Sequence, residues 1–137
     1  MEKLVFIIED DLVQQRMLQH HFEKMLGSYV VRCFTNPEEM MAHLPEQPYA
    51  VVLDHFFSTG EKTGLDYLKI LKKKYPSIAV IYYTSLDDEK IRQEVMACNA
   101  EQYIVKDTAS LVRLRTALDS IHEKKSKRGF FGKLFGN

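Results

Sequence analysis

The sequence predicts an α/β fold: a doubly wound five-stranded parallel sheet with helices on both faces. Three observations carry this. Five short apolar runs, rich in β-branched residues, alternate with stretches of helical period. The runs are near-continuous rather than alternating, as strands buried on both faces require. Regular strand–helix alternation favours parallel strands joined by helical crossovers. At 137 residues the chain has one domain's worth of length, enough to hide roughly two-thirds of its extended surface without staples.

Residues 4–8 form the first apolar run. Leu12, Met17, Leu18, Phe22, Met25 and Leu26 then recur at helical spacing, and Gly27 stops that helix. Tyr29–Phe34 is the second strand. Asn36-Pro37-Glu38-Glu39 is a helix start, with a capping side chain, a proline at the first helical position and a glutamate three residues after the cap. The helix is expected to run to Leu44, before Pro45. Ala50–Leu53 is the third strand, followed by a polar, glycine-containing stretch at 56–63. Leu65, Leu68, Ile70 and Leu71 mark a helix that ends before Pro76. Residues 78–83 form the fourth strand, Asp87 or Asp88 caps a helix through Ala97, and Gln102–Val105 is the fifth strand. Leu111, Leu114, Leu118 and Ile121 define the last helix. Right-handed crossovers make the flavodoxin-like strand order 2-1-3-4-5 the expected one.

Nineteen basic and nineteen acidic side chains cancel, so the chain as a whole has no bias toward nucleic acid. Cys33 and Cys98 have neither metal-ligand nor framework spacing and read as reduced thiols of a cytoplasmic protein. No run reaches the ~18 apolar residues of a membrane span, and the start MEKLVFIIEDD lacks the pattern of a signal peptide. These observations argue against a secreted, disulfide-held or membrane-spanning protein. The neutral total conceals an asymmetry: residues 1–121 carry a net charge of −4 and residues 122–137 carry +4. With three phenylalanines and three of the six glycines, the end of the chain divides it into a domain at 1–123 and a basic aromatic tail at 124–137.

In sheets of this kind chemistry sits outside the carboxyl ends of the strands. Glu9-Asp10-Asp11, Asp54-His55, Thr84-Ser85 and Lys106-Asp107 stand at the ends of strands one, three, four and five. Clustered carboxylates repel one another and need a cation to stay ionised. Hard oxygen ligands with open positions suit Mg²⁺. An opposed lysine and hydroxyl suit a phosphoryl group, and a carboxylate such as Asp54 can become an acyl phosphate.

At these residues the chain resembles the receiver domains of two-component response regulators. The matching stretches are VFIIEDD, AVVLDHF, IYYTS and AEQYIVK, in order and at the family's approximate spacing, within residues 3–121. The resemblance implies that Asp54 accepts a phosphoryl group from a histidine kinase or histidine phosphotransfer protein. It implies that Glu9 and Asp10 hold Mg²⁺ together with Asp54 and the backbone carbonyl of Phe56. Thr84 would bind a phosphoryl oxygen, Lys106 would pair with the phosphoryl group, and Tyr103 matches the aromatic switch position, turning inward on phosphorylation. Asp11 reads as a helix cap or a carboxylate behind the metal pair. The protein would assist its own phosphorylation and dephosphorylation without being an enzyme in the ordinary sense. Three positions depart from the family: Ser58 replaces a proline, Gly64 stands ten rather than eight residues after the acceptor, and Asp107 replaces a cis proline after the lysine.

With no room for a DNA-binding helix pair after residue 121, the expectation is a single-domain regulator that signals through phosphorylation-controlled protein binding. The alternative is a phosphorelay intermediate that hands the group to a histidine phosphotransfer protein. A flavodoxin-like cofactor carrier is disfavoured, because Glu9-Asp10-Asp11 would repel a cofactor phosphate. His55 is expected to be structural or to face solvent, His20 and His21 to lie on a solvated surface, and Lys72-Lys73-Lys74 to complement a helix dipole. In the tail, Phe130, Phe131, Leu134 and Phe135 would share one side of a helix. Membrane or partner docking there, including peripheral attachment at the inner membrane face, stands against a floppy or folded-back terminus.

Overall fold

Strands that are apolar at nearly every position need cover on both faces, and this chain supplies it with five helices. The structure is a computed structural model that describes residues 3–25, 29–58 and 61–135, the side chains of Met25 and of 129–135 excepted. The order is β1 (Lys3–Ile8), α1 (Leu12–Met25), β2 (Tyr29–Phe34), α2 (Pro37–Ala42), β3 (Ala50–Leu53), α3 (Gly64–Lys74), β4 (Ala79–Thr84), α4 (Glu89–Ala97), β5 (Gln102–Val105) and α5 (Ser110–Phe135). All pairings are parallel and the spatial order is β2-β1-β3-β4-β5.

Alternate strand residues feed two separate cores. Phe6, Ile8, Val51, Leu53, Val80, Tyr82 and Tyr103 pack with residues of α2, α3 and α4. Val5, Ile7, Val52, Ile81 and Ile104 pack with Leu18 and Phe22 of α1 and Leu114, Leu118 and Ile121 of α5. Cys33 and Cys98 are free and half-buried.

Several expectations need correction. Leu12 and Met17, grouped with the core by spacing, are exposed. Only the part of the α1 stripe beginning at Leu18 reaches the sheet. The second helix ends at Ala42 rather than Leu44, and Pro45 sits inside a 3-10 turn, Leu44–Glu46, where its missing N–H costs nothing. Asn36 does cap α2, accepting from the Glu38 N–H at 2.8 Å. Asp88, not Asp87, caps α4. Lys72 is half-buried and donates to the Ile78 carbonyl at 2.7 Å, so it ties α3 to β4 as well as ending a helix. His21 is half-buried rather than solvated, with a ring nitrogen that has no partner. Gly27, read as the stop of α1, and Leu26 lie outside the described residues, as does the side chain of Met25.

The largest departure is α5. Its core-facing stripe ends at Ile121, yet the helix continues unbroken to Phe135. Lys124 pairs with Glu101 at 3.4 Å, and the Lys125 ammonium lies over the Tyr49 ring at 5.2 Å. The basic stretch after residue 123 is therefore, in backbone terms, a prolongation of the last helix. Among the described residues no helix is long and apolar enough to cross a membrane.

Candidate functional site

The register places Ile8 beside Leu53, Leu53 beside Tyr82, and Thr84 beside Val105. The residues that follow these strands therefore share one rim. They line an open cleft of about 410 Å³ bounded by Glu9, Asp10, Asp54, Phe56, Ser85 and Lys106, among others.

Lys106 is the centre of the cleft. Its ammonium donates to Asp54 Oδ2 at 2.9 Å and to Glu9 Oε2 at 3.1 Å, and Gln14 Oε1 lies at 3.5 Å. Burial pulls the lysine pKa down, but Asp54 and then Glu9 outweigh it and hold the group above its ordinary value. It is a cation across the physiological range. The Lys106 N–H also donates to the Thr84 carbonyl, which fixes the base of the side chain against β4.

The carboxylates are anchored by backbone donors. Glu9 is buried and accepts from the Asp11 N–H at 3.2 Å. Asp54 Oδ1 accepts from the His55 N–H at 2.6 Å. Asp10 Oδ2 accepts from the Ser58 N–H at 2.9 Å. That last bond needs a residue other than proline, so the departure at Ser58 has a physical consequence: it ties the acceptor loop to Asp10. Asp11 caps α1, accepting from the Val13 and Gln14 N–H groups.

The acceptor strand is braced from behind. Gly64 opens α3 and donates to the His55 carbonyl at 2.9 Å. A Cβ there would lie 1.9 Å from the Asp54 carbonyl oxygen and 2.7 Å from the Tyr82 hydroxyl. The longer loop thus still delivers a glycine against the acceptor. Thr63 and Asp66 form a reciprocal capping box that fixes the helix start. His55 is 8% exposed and its Nδ1 meets the Tyr82 hydroxyl. Its role is structural, on the opposite side of the strand from the cleft.

Thr84 and Tyr103 do not line the cleft. Thr84 is buried, and its hydroxyl accepts from the Leu86 N–H at 3.3 Å; Ser58 and Ser85 are the hydroxyl residues that line the cleft. Tyr103 already lies inside, 5% exposed, stacked on Tyr82 at 5.5 Å, with its hydroxyl donating to the Leu86 carbonyl. The ring is therefore already turned inward in this structure. What joins the two residues is Leu86, whose N–H serves one and whose carbonyl serves the other. No peptide bond among the described residues is cis, Lys106–Asp107 included. Asp107 instead turns the loop by accepting from Ala109 N–H and from Arg113, each at 2.8 Å.

Gln14 and the backbone of Ser58 are the site groups that sequence reasoning missed. Gln14 was findable: it lies three residues after the α1 cap, one turn above Asp11 and on the same side of the helix.

Four carboxylates (Glu9, Asp10, Asp11, Asp54) face one ammonium at this rim. Their donor chemistry fits a hard divalent cation that keeps several waters. Among the described residues, however, no three such side chains are drawn together around a common point. Lys106 bridges Glu9 and Asp54 instead, and Asp10 is turned to Ser58.

Comparison with known proteins agrees with this geometry. The family model of the response regulator receiver domain matches residues 5–119. No curated protein matches the chain by sequence. Among solved structures, the beryllofluoride-activated receiver domain of DrrB is 22% identical with a TM-score of 0.71, over 87% of this chain and 99% of that one; DrrB is a Thermotoga maritima protein. A CheY-like receiver domain protein from Methanospirillum hungatei is 18% identical with a TM-score of 0.77, over 93% of this chain and 99% of that one. A LuxR-family DNA-binding response regulator from Staphylococcus aureus is 21% identical with a TM-score of 0.75, over 87% and 98%. These likenesses show the fold. The family match spans most of the chain and ends within α5, and by it the chain belongs to the receiver domains of two-component response regulators.

Proposed function

We propose that Asp54 accepts a phosphoryl group from a histidine kinase or histidine phosphotransfer protein, and that the acyl phosphate controls binding to another protein. The observation that carries this reading is the Lys106 ammonium 2.9 Å from Asp54 Oδ2 in a cleft open to solvent. A carboxylate oxygen of Asp54 attacks phosphorus as the phosphorus–nitrogen bond to the donor histidine breaks, and the electron pair leaves with the imidazole. Lys106 is placed to follow the charge from Asp54 onto a phosphoryl oxygen. Glu9, Asp10, Asp54 and the Phe56 carbonyl would hold Mg²⁺, which when bound neutralises oxygens of the transferring group. Leu12, Val13 and Met17 on α1 and Phe56 on the loop are each more than half exposed, an apolar flank on which a donor helix can rest.

The readout runs through Leu86. A Thr84 hydroxyl that turns to a phosphoryl oxygen releases the Leu86 N–H, and the same residue's carbonyl holds Tyr103. The arrangement of the β4–α4 loop therefore depends on the charge at Asp54, which is a population shift with a named contact in each state.

The test is incubation with a small phosphodonor and Mg²⁺, followed by intact mass. The wild type gains one phosphoryl group and Asp54→Asn gains none, with the fold retained. Equal labelling of the two proteins overturns the assignment. Beryllofluoride should shift amide resonances of 84–91 and 103; shifts confined to residues near 54 overturn the Leu86 linkage.

A further inference from the structure

We infer that the C-terminal turns of α5 form a docking surface for an anionic lipid bilayer, at the end of the molecule opposite Asp54. The inference stands on where the helix goes and on how its residues are distributed around it. α5 starts beside the cleft, just after Lys106 and Asp107, and by residues 122–126 it has reached the far rim. There His122, Lys125 and Ser126 line a cavity with Tyr49, Tyr75 and Ser77. Ile121 is the last side chain of the sheet-facing stripe, and the helix continues for about 21 Å beyond it.

Around the helix axis the apolar direction changes. Leu114, Ala117, Leu118 and Ile121 define the side that packs on the sheet. Positions 130, 131, 134 and 135 (Phe, Phe, Leu, Phe) fall in an arc of about 140° whose centre is rotated by about 120° from that side. Gly129 and Gly132 fall instead on the sheet-facing side, in line with Leu118 and Leu114. Past the body, the side that binds the sheet continues as Lys125, Arg128, Gly129 and Gly132, with no apolar side chain, and the apolar residues occupy a different side.

Two of the five cations after residue 121 share that side, as does Glu123. Lys124 and Lys127 fall within the same arc and Arg128 at its border; all three are exposed. Lysines beside aromatics are what a headgroup layer accommodates: ammonium groups reach the phosphates while the rings enter the acyl boundary. A second copy of the chain placed face to face would oppose these like charges. The charge separation of the whole chain, −4 before residue 122 and +4 after, turns the basic end toward an anionic surface and the acidic cleft away from it. Asp54 would then face solvent, open to a phosphodonor.

Sedimentation of the full chain with vesicles tests this. The protein should pellet with phosphatidylglycerol–phosphatidylcholine vesicles at low salt, stay in solution with pure phosphatidylcholine, and be released by salt. Lys127→Gln with Arg128→Gln should lower the partition coefficient roughly thirty-fold, from two cations at ~1 kcal/mol each. Phe131→Ser with Leu134→Ser should abolish pelleting. Labelling at Asp54 by a small phosphodonor should be unchanged in both variants, which shows that they fold. The inference is overturned if the full chain stays in solution with anionic vesicles at low salt, if it pellets equally with neutral ones, or if either variant pellets like the wild type. A concentration-dependent dimer that Phe131→Ser with Leu134→Ser dissolves would assign the surface to a second copy instead.

Discussion

Lys106→Met removes the cation that Glu9 and Asp54 share while keeping most of the apolar stem. The three side chains are 18%, 7% and 15% exposed, so the pair is largely but not wholly withdrawn from water. Breaking a fully buried pair by deleting one partner costs about 3–5 kcal/mol. Screening by the open cleft reduces this, and a loss of about 2 kcal/mol at pH 7 in metal-free buffer is expected. The pH dependence has a definite sign. Lys106 is held above its ordinary pKa, so its contribution is complete below about 10.4, the unfolded value, and is lost as pH rises through the folded pKa. In the variant that alkaline loss is missing. Added Mg²⁺ should restore more stability to the variant than to the wild type, because the divalent ion no longer competes with the ammonium for Glu9 and Asp54. Urea denaturation followed by circular dichroism, at pH 7 and at about pH 11.5, with and without Mg²⁺, measures all of this. A variant as stable as the wild type at pH 7 without metal, or one that loses stability above about pH 10.4 as steeply as the wild type does, would refute the reasoning.

Two further predictions concern the brace behind Asp54. Gly64→Ala places a methyl 1.9 Å from the Asp54 carbonyl oxygen, where backbone rather than a flexible side chain must yield. A cost of about 3 kcal/mol, at the upper end of overpacking, is expected, with slower labelling of Asp54 by a small phosphodonor; unchanged denaturation and labelling would contradict the close approach. His55 has its pKa pushed down by burial, against the opposing pull of Asp54 and more distant carboxylates. Its neutral form therefore supports the fold above about pH 6.5, and that support is lost as pH falls from there through the folded pKa, by at most ~1.4 kcal/mol per pH unit. His55→Phe should be less stable at pH 7.5 by about 1 kcal/mol, because the Tyr82 hydroxyl loses a partner, and the difference from wild type should narrow toward pH 5.5. A difference that stays constant or widens would count against a neutral buried imidazole.

Much of the site was legible because strand ends in a parallel sheet have only one place to go. Once β1, β3, β4 and β5 were recognised as apolar runs, Glu9, Asp10, Asp54 and Lys106 were bound to share a rim. Period and composition do not say which atoms meet there. That Lys106 bridges Glu9 and Asp54, that the Ser58 N–H takes Asp10, and that Leu86 stands between Thr84 and Tyr103 all depend on rotamers and loop paths settled by several elements at once. Leu12 and Met17 illustrate the same limit on a helix: spacing places them near the apolar stripe, but only the packing of α1 against the sheet, which buries Leu18 and Phe22 and leaves these two exposed, decides where the stripe begins.

The sequence by itself determined the element order, the parallel sheet, three of its five strands at both ends (Tyr29–Phe34, Ala50–Leu53 and Gln102–Val105) and the other two to within a residue, and the rim on which the charges gather. These follow from local rules: an apolar run must be covered, a cap must follow a strand, and right-handed crossovers leave few strand orders. Tertiary structure alone decided the partner of each charged group, the buried placement of His55 and Tyr103, the close approach of Gly64 to Asp54, and the length of α5. The physical reason is range. Helix and strand periods are read over a few neighbours, whereas a carboxylate's partner is chosen by groups nearly a hundred residues away, as Glu9 and Lys106 are, and by the burial that makes their pairing matter.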